Sequence, residues 1–231
     1  MKLTFPILAL LTAAFLGYGF YAALVLAPTD QLQGDVYRII YIHVPSAWNA
    51  FVFFAVNFVA SIVYLIRRNL KADAVAVSAA EVGLVFCSVV LVTGPIWARP
   101  VWGIWWTWDW RLTSTLVMWL IYISYLVLRR FSSGGQTPVL ATALAIFGGL
   151  DIPLVYFSIW FFRTQHPQPV VGDGGYIDPR MFHVWLINWA AFLCFVGLVF
   201  WARYRVEIMR QEVEETEALE ALSEAPQNAG T

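Results

Sequence analysis

Apolar residues fall along this chain in six long runs, Phe5 to Ala27, Val44 to Ile66, Ala74 to Trp97, Leu112 to Leu128, Pro138 to Phe162 and Met181 to Ala202, separated by short polar connections. A helix needs roughly 20 residues to cross about 30 Å of hydrocarbon. The pattern therefore predicts six transmembrane helices. The runs lack the alternation of a membrane barrel, and in lipid each helix satisfies its own backbone polar groups. The first run follows a lone Lys2 and spans 23 residues, longer than the ~7–15-residue apolar core of a signal peptide, so it reads as a retained first span.

Composition agrees with that frame. Sixty per cent of the 231 residues are hydrophobic and 13% charged, against roughly 45–50% and about 25% in soluble domains. The fold class expected is an all-α integral membrane protein. Basic residues orient it: Lys2, Arg67, Arg68, Lys71, Arg129, Arg130, Arg203, Arg205 and Arg210 fall on one side, and Arg38, Arg99, Arg111, Arg163 and Arg180 on the other. The positive-inside rule then places both termini in the cytoplasm. Three outer loops follow, Pro28 to Ile42, Ala98 to Arg111 and Arg163 to Arg180.

No repeat or linker divides residues 1–210, which read as one membrane domain. The segment Gln211 to Thr231 carries Glu212, Glu214, Glu215, Glu217, Glu220 and Glu224 and reads as an acidic cytoplasmic tail, a frayed helix or a solvated disordered segment. Cys87 and Cys194 lie within spans and form no C-x-x-C, which argues against a redox pair, and no C-x-x-C-H offers covalent haem attachment. No phosphate-binding G-x-x-x-x-G-K-[ST] loop is present.

Candidate chemistry gathers in the outer loops, which are longer and richer in aromatic residues than the inner turns. Six of the twelve tryptophans, Trp97, Trp102, Trp105, Trp106, Trp108 and Trp110, lie within fourteen residues. Pro100 can start a helix. A helix from there would put Trp102, Trp105, Trp106, Asp109 and Trp110 on one arc about 140° wide. Gly103 beside it would let a ligand approach the backbone. An interfacial aromatic belt explains one or two such rings per span; five in nine residues, interleaved with Asp109 and Arg111, suit a ligand with an aromatic body and ionised substituents.

All three histidines, His43, His166 and His183, fall on the same outer side. Their spacing lacks the local pattern of a zinc site. Haem iron needs only one or two axial imidazoles, which can come from distant positions. Haem is the favoured ligand, and a quinone or other planar lipid-soluble molecule is the alternative. Residue positions alone leave the choice among the three histidines open, with His183 the geometric spare. Within the spans, Glu81 and Asp151 are costly intramembrane acids; Asp151 is expected to hydrogen-bond Asn188 or a serine near a kink at Pro153.

The run WGIWWTWDWRLTS, Trp102 to Ser114, resembles the WWD signature of haem-handling proteins of cytochrome c maturation. Trp102, Gly103, Trp106, Trp108, Asp109, Arg111, Leu112 and Thr113 stand at its named places. With six spans and these flanking loops, the chain resembles the haem exporter C family, CcmC. The related CcmF and CcsA families have more spans. The resemblance covers nearly the whole chain to about Trp201.

It implies haem handling rather than catalysis: haem b bound in transit at the outer face of a bacterial inner membrane, passed to the haem chaperone CcmE in company with CcmA, CcmB and CcmD. It implies axial ligation by His43 and His166 and leaves His183 unassigned. The tryptophan segment, with Trp105 and Trp110, would support the porphyrin edge. Arg111, helped by Arg99 or Arg163, would neutralise propionates. Asp109 would orient Arg111 or an indole N–H, or else meet the chaperone, for which Asp30, Gln33 and Arg38 in the first loop form a candidate docking surface. A haem-translocating permease subunit and a quinone-linked redox protein are the competing functions.

Overall fold

The computed structural model describes residues 4–131, 137–167 and 177–224. Among these the chain forms six helices long and apolar enough to cross a membrane, so the expected all-α membrane architecture holds. Helix α1 covers Thr4–Tyr21 and runs into a π-helical turn, Ala22–Leu26. A 3-10 turn at Asp35–Ile39 leads into α2, Ile40–Arg67, followed by α3, Leu70–Trp102, α4, Trp110–Phe131, α5, Thr137–Phe161, and α6, Pro179–Glu224. Helix α2 lies at the centre against α3, α5 and α6; α4 packs chiefly on α5, and α1 on α6.

Small residues let the central helices close on one another. A Cβ on Gly149 of α5 would lie 2.3 Å from Phe58 Cδ2, so only glycine admits that ring. In the buried core the Phe54 and Tyr122 rings stack at 3.7 Å and 6°, beside Met118 and Tyr125. Such stacking adds about 0.5–1.5 kcal/mol beyond area burial. Polar groups pin the outer pairs: Asn188 Nδ2 donates to Gly19 O at 2.9 Å, joining α6 to α1.

Helix boundaries differ from the expected runs, most consequentially in α2, α3 and α6. Helix α2 begins at Ile40, not Val44, so His43 belongs to its first turns. Helix α3 runs to Trp102 rather than Trp97, with Pro95 and Pro100 inside it. Each proline removes one amide donor, but apolar flanks keep the run helical until Gly103, which at φ 81° takes the left-handed conformation of a helix C-cap. Arg99 caps this end by donating to the Gly103 carbonyl. Residues 103–109 are not helical, so the single indole arc expected for Trp102 to Trp110 does not form: Pro100 ends up in the last turn of one helix instead of starting another.

Helix α6 is the third case. Its 46 residues rise to roughly 69 Å at 1.5 Å each, more than twice the hydrocarbon thickness. Arg203, Glu207, Arg210 and Glu214 link successive turns by ion pairs of 2.9, 2.9 and 3.6 Å, which carries the helix past Ala202 and through the first part of the acidic tail. Residues 225–231, the rest of that tail, lie outside the described residues.

The intramembrane acids are placed differently from one another. Glu81 is ion-paired with Arg203 across α3 and α6. Asp151 makes no bond to Asn188, which spends its donor on Gly19 and Val184; the buried Asp151 Oδ2 has no hydrogen-bond partner among the described residues. The hydrogen bond expected for Asp151, to Asn188 or a serine, is not found among the described residues, and Asn188 faces α1 instead.

Candidate functional site

The first loop is organised by its own side chains. Asp30 accepts from the Leu32 and Gln33 amides at 2.9 and 2.7 Å, and Gly34 at φ 63° closes the turn by donating to Asp30 O at 3.0 Å. Arg38 donates to Ala23 O and to Asp35, both at 2.9 Å. Asp30 and Arg38 therefore hold the loop together. Gln33 is turned toward α3, where its Oε1 accepts from Trp97 Nε1 at 2.8 Å.

That bond sits on the rim of a cavity of about 280 Å³ at the tryptophan-bearing end of the bundle, bordered by His43, Trp97, Trp102, Trp106, Arg111 and His166. The volume is near the lower bound of small-molecule sites, roughly 300–1,000 Å³. Residues more than a hundred positions apart meet because the start of α2, the end of α3, the start of α4 and the segment after α5 share one end of the bundle. Trp97 and Trp102 pack edge to face at 5.0 Å and supply an aromatic wall. Trp48, Tyr156, Trp185 and Cys87 also border the cavity. None was proposed as a site residue from the sequence, where each looks like one more residue of an apolar span.

The tryptophan segment divides into two sets. Trp102 and Trp106 face the cavity, while Trp105, Trp108 and Trp110 are exposed. Trp108, 77% exposed, touches Trp106 edge-on at 5.9 Å. Trp110 stacks on Phe162 at 4.4 Å and 23°, which ties the start of α4 to the segment leading to His166. Trp106 Nε1 is buried with no hydrogen-bond partner among the described residues, a donor left for a ligand. Gly103 caps α3 and does not border the cavity.

Asp109 does not pair with Arg111. Its Oδ1 accepts from the Leu112 amide at 3.0 Å, the N-cap of α4, and its Oδ2 accepts from Thr107 at 2.9 Å and from the Gln165 amide at 3.4 Å. One carboxylate thus starts α4 and holds the His166 segment beside it. Arg111, in the first turn of α4, faces the cavity with one long hydrogen bond, 3.4 Å to Tyr156 O. Its remaining donors are placed for an anion. Arg99 is taken up by the α3 cap, and Arg163 is exposed and does not border the cavity.

Each cavity histidine has a hydrogen-bond partner at Nδ1. His166 Nδ1 lies 2.9 Å from Pro167 O; a carbonyl only accepts, so Nδ1 carries the proton and Nε2 keeps its lone pair. His43 Nδ1 lies 2.8 Å from Thr93 Oγ1. Burial, followed by the Arg111 cation, lowers the His166 pKa to about 3, so this imidazole is neutral at physiological pH. His183, at the start of α6, is exposed and does not border the cavity. No cluster of three or more His, Cys, Asp or Glu that could hold a metal ion occurs among the described residues. Two imidazoles, indole walls and an underused guanidinium suit a flat apolar ligand with a Lewis-acidic centre and anionic substituents.

Similarity to known proteins agrees with this chemistry. Residues 1–219 match the family described as heme exporter protein C. A heme exporter protein C of Bradyrhizobium diazoefficiens is 35% identical over 94% of this chain and 83% of its own length. That of Escherichia coli K12 is 35% identical over 76% of this chain and 72% of its own. A putative cytochrome c biosynthesis ccmC-like mitochondrial protein of Marchantia polymorpha is 33% identical over 78% and 77%. With a match spanning all six helices and both histidine-bearing segments of the cavity, the chain belongs to the heme exporter protein C family.

Proposed function

We propose that this protein binds haem b as cargo and delivers it to the haem chaperone CcmE for c-type cytochrome maturation, as a component of a CcmABCD-type complex. The observation that carries this reading is the convergence of His43 and His166 on one aromatic cavity with Arg111. Each Nε2 can donate to iron without first losing a proton. Trp102 and Trp106 would hold the macrocycle, Trp106 Nε1 and Arg111 offering donors to its anionic substituents. The positive-inside rule supports an orientation with the Arg67, Arg68, Arg129 and Arg130 end in the cytoplasm, which in a bacterial inner membrane would leave the cavity at the outer face.

Transfer needs a grip that can be undone. His43 is built into a long helix, whereas His166 sits on a connecting segment tied by Asp109 and Trp110. Exposed Trp105 and Trp108, on the same loop as Trp102 and Trp106, would meet the chaperone, with the first loop of Asp30, Gln33 and Arg38 beside them. Absorption spectra of detergent-purified protein from haem-replete cells test the assignment. Wild type and His183→Ala should share one low-spin haem spectrum, and His43→Ala and His166→Ala should each alter it. Unchanged spectra in those two variants, or a change in His183→Ala alone, would overturn it.

A further inference from the structure

Thr93 lies in α3 behind His43 and takes no part in lining the cavity. Its hydroxyl donates to Val89 O, one helical turn back, at 2.7 Å. A hydroxyl has a single proton. With that proton committed to a carbonyl, Thr93 Oγ1 meets His43 Nδ1 at 2.8 Å as an acceptor, so Nδ1 must be the protonated nitrogen. The chain of bonds runs from the α3 backbone through the hydroxyl to the imidazole, and in the neutral ring a proton on Nδ1 leaves the lone pair on Nε2. Gly94, next in sequence, presents only a hydrogen toward the ring: a Cβ there would lie 3.5 Å from His43 Cε1. The imidazole is thereby fixed between α2 and α3, the central helix pair.

We infer that Thr93 is a positioning residue for the ligand histidine, holding His43 in the Nδ1–H tautomer with Nε2 free for the cargo. This rests on the proposed haem ligation by His43. The two histidines differ in kind: Thr93 belongs to a packed helix, while the carbonyl that holds His166 belongs to the next residue of its own connecting segment. His43 is the anchored ligand. A hydrogen bond accepted from Nδ1–H also increases the electron donation of the imidazole, and outer-shell partners of this kind alter metal affinity about 10–100-fold. Thr93 therefore favours ferric over ferrous iron on this protein.

The test compares Thr93→Val, which keeps the shape and removes the acceptor, with Thr93→Ser, which restores it. In haem-free protein, nitrogen NMR of labelled imidazole should show His43 as a single Nδ1–H tautomer in wild type and Thr93→Ser, and as a mixture in Thr93→Val. In haem-loaded protein, Thr93→Val should weaken ferric ligation about 10-fold and raise the midpoint potential by about 59 mV, the one-electron equivalent, with Thr93→Ser near wild type. An unchanged tautomer and potential in Thr93→Val overturns the role of Thr93 while leaving haem ligation intact. An unchanged spectrum in His43→Ala instead removes the ligation on which the inference rests. A Thr93→Val that loses stability while Thr93→Ser also shifts the potential would mean the residue acts through packing, and overturns it too.

Discussion

At the residue scale the site depends on polar atoms whose other bonds are already spent. Thr93 has given its proton to Val89 O, and Asp109 has given one oxygen to the α4 cap and the other to Thr107 and Gln165. Replacing Asp109 by Ala should cost about 0.5–2 kcal/mol through the lost cap, measurable by thermal unfolding, and should disturb the His166-dependent part of the haem spectrum more than the His43-dependent part. Acid sensitivity has a defined sign. The folded site holds His166 neutral to about pH 3, whereas an unfolded histidine titrates near 6.5. From pH 6.5 downward the unfolded chain takes up a proton that the folded site refuses, so the stabilisation is complete above 6.5 and declines on acidification. An NMR titration of the His166 ring in haem-free protein should show no protonation down to about pH 4. Arg111→Gln removes the cation that adds to the effect of burial, and should move that titration upward. The WWD run in the sequence already marked Trp102, Trp106 and Arg111, histidine count marked all three histidines, and only the family resemblance picked out His43 and His166; Thr93 was illegible because a threonine in an apolar run looks like any other until its neighbour is known.

At the scale of elements, helix ends decide what the cavity contains. Gly103 stops α3 and Asp109 starts α4, and the five residues between them send Trp106 inward and Trp105 and Trp108 outward. A Gly103→Ala substitution forces a side chain into the left-handed region and should destabilise by about 1–2 kcal/mol, with the indole fluorescence of the segment changing alongside. Further down, Gly149 admits Phe58, and Gly149→Ala should lower stability by roughly 1–3 kcal/mol by overpacking, read as a drop in melting temperature. The existence and order of all six helices were legible from apolar run length, a property that survives tertiary packing. Their ends were not: the apolar run stopped at Trp97 and Pro100 looked like the start of a new helix before α3 had finished, and the ion pairs that extend α6 need a helix already formed to bring Arg203, Glu207 and Arg210 together.

At the scale of the whole molecule the two ends of the bundle do different work. The end opposite the cavity is clamped by charge: Arg129 makes two bonds to Asp73 at 2.7 and 2.6 Å, and Arg203 joins Glu81 to a Glu207 that is 0% exposed. Removing one partner leaves a buried charge, so Arg129→Ala should cost about 3–5 kcal/mol and reduce the yield of folded protein; adding Asp73→Asn to it should recover much of the loss. At the cavity end the His166 segment is held to the start of α4 by the 3.4 Å Gln165–Asp109 bond and the Trp110–Phe162 stack, in keeping with the proposed release of cargo there. Cutting the chain after Gln211 spares every one of these contacts and should leave the melting temperature and haem spectrum unchanged.

By itself the sequence determined a six-span helical membrane protein with an aromatic, histidine-bearing side, because the cost of burying polar backbone and charge in lipid is read from composition and run length. Only the tertiary structure decided which of the three histidines share a cavity, which indoles line it and which face away, and how each imidazole carries its proton. Those outcomes depend on where a helix ends to within one turn and on hydrogen bonds between residues as far apart as Gln33 and Trp97 or His43 and Thr93. Apolar periodicity carries no record of either.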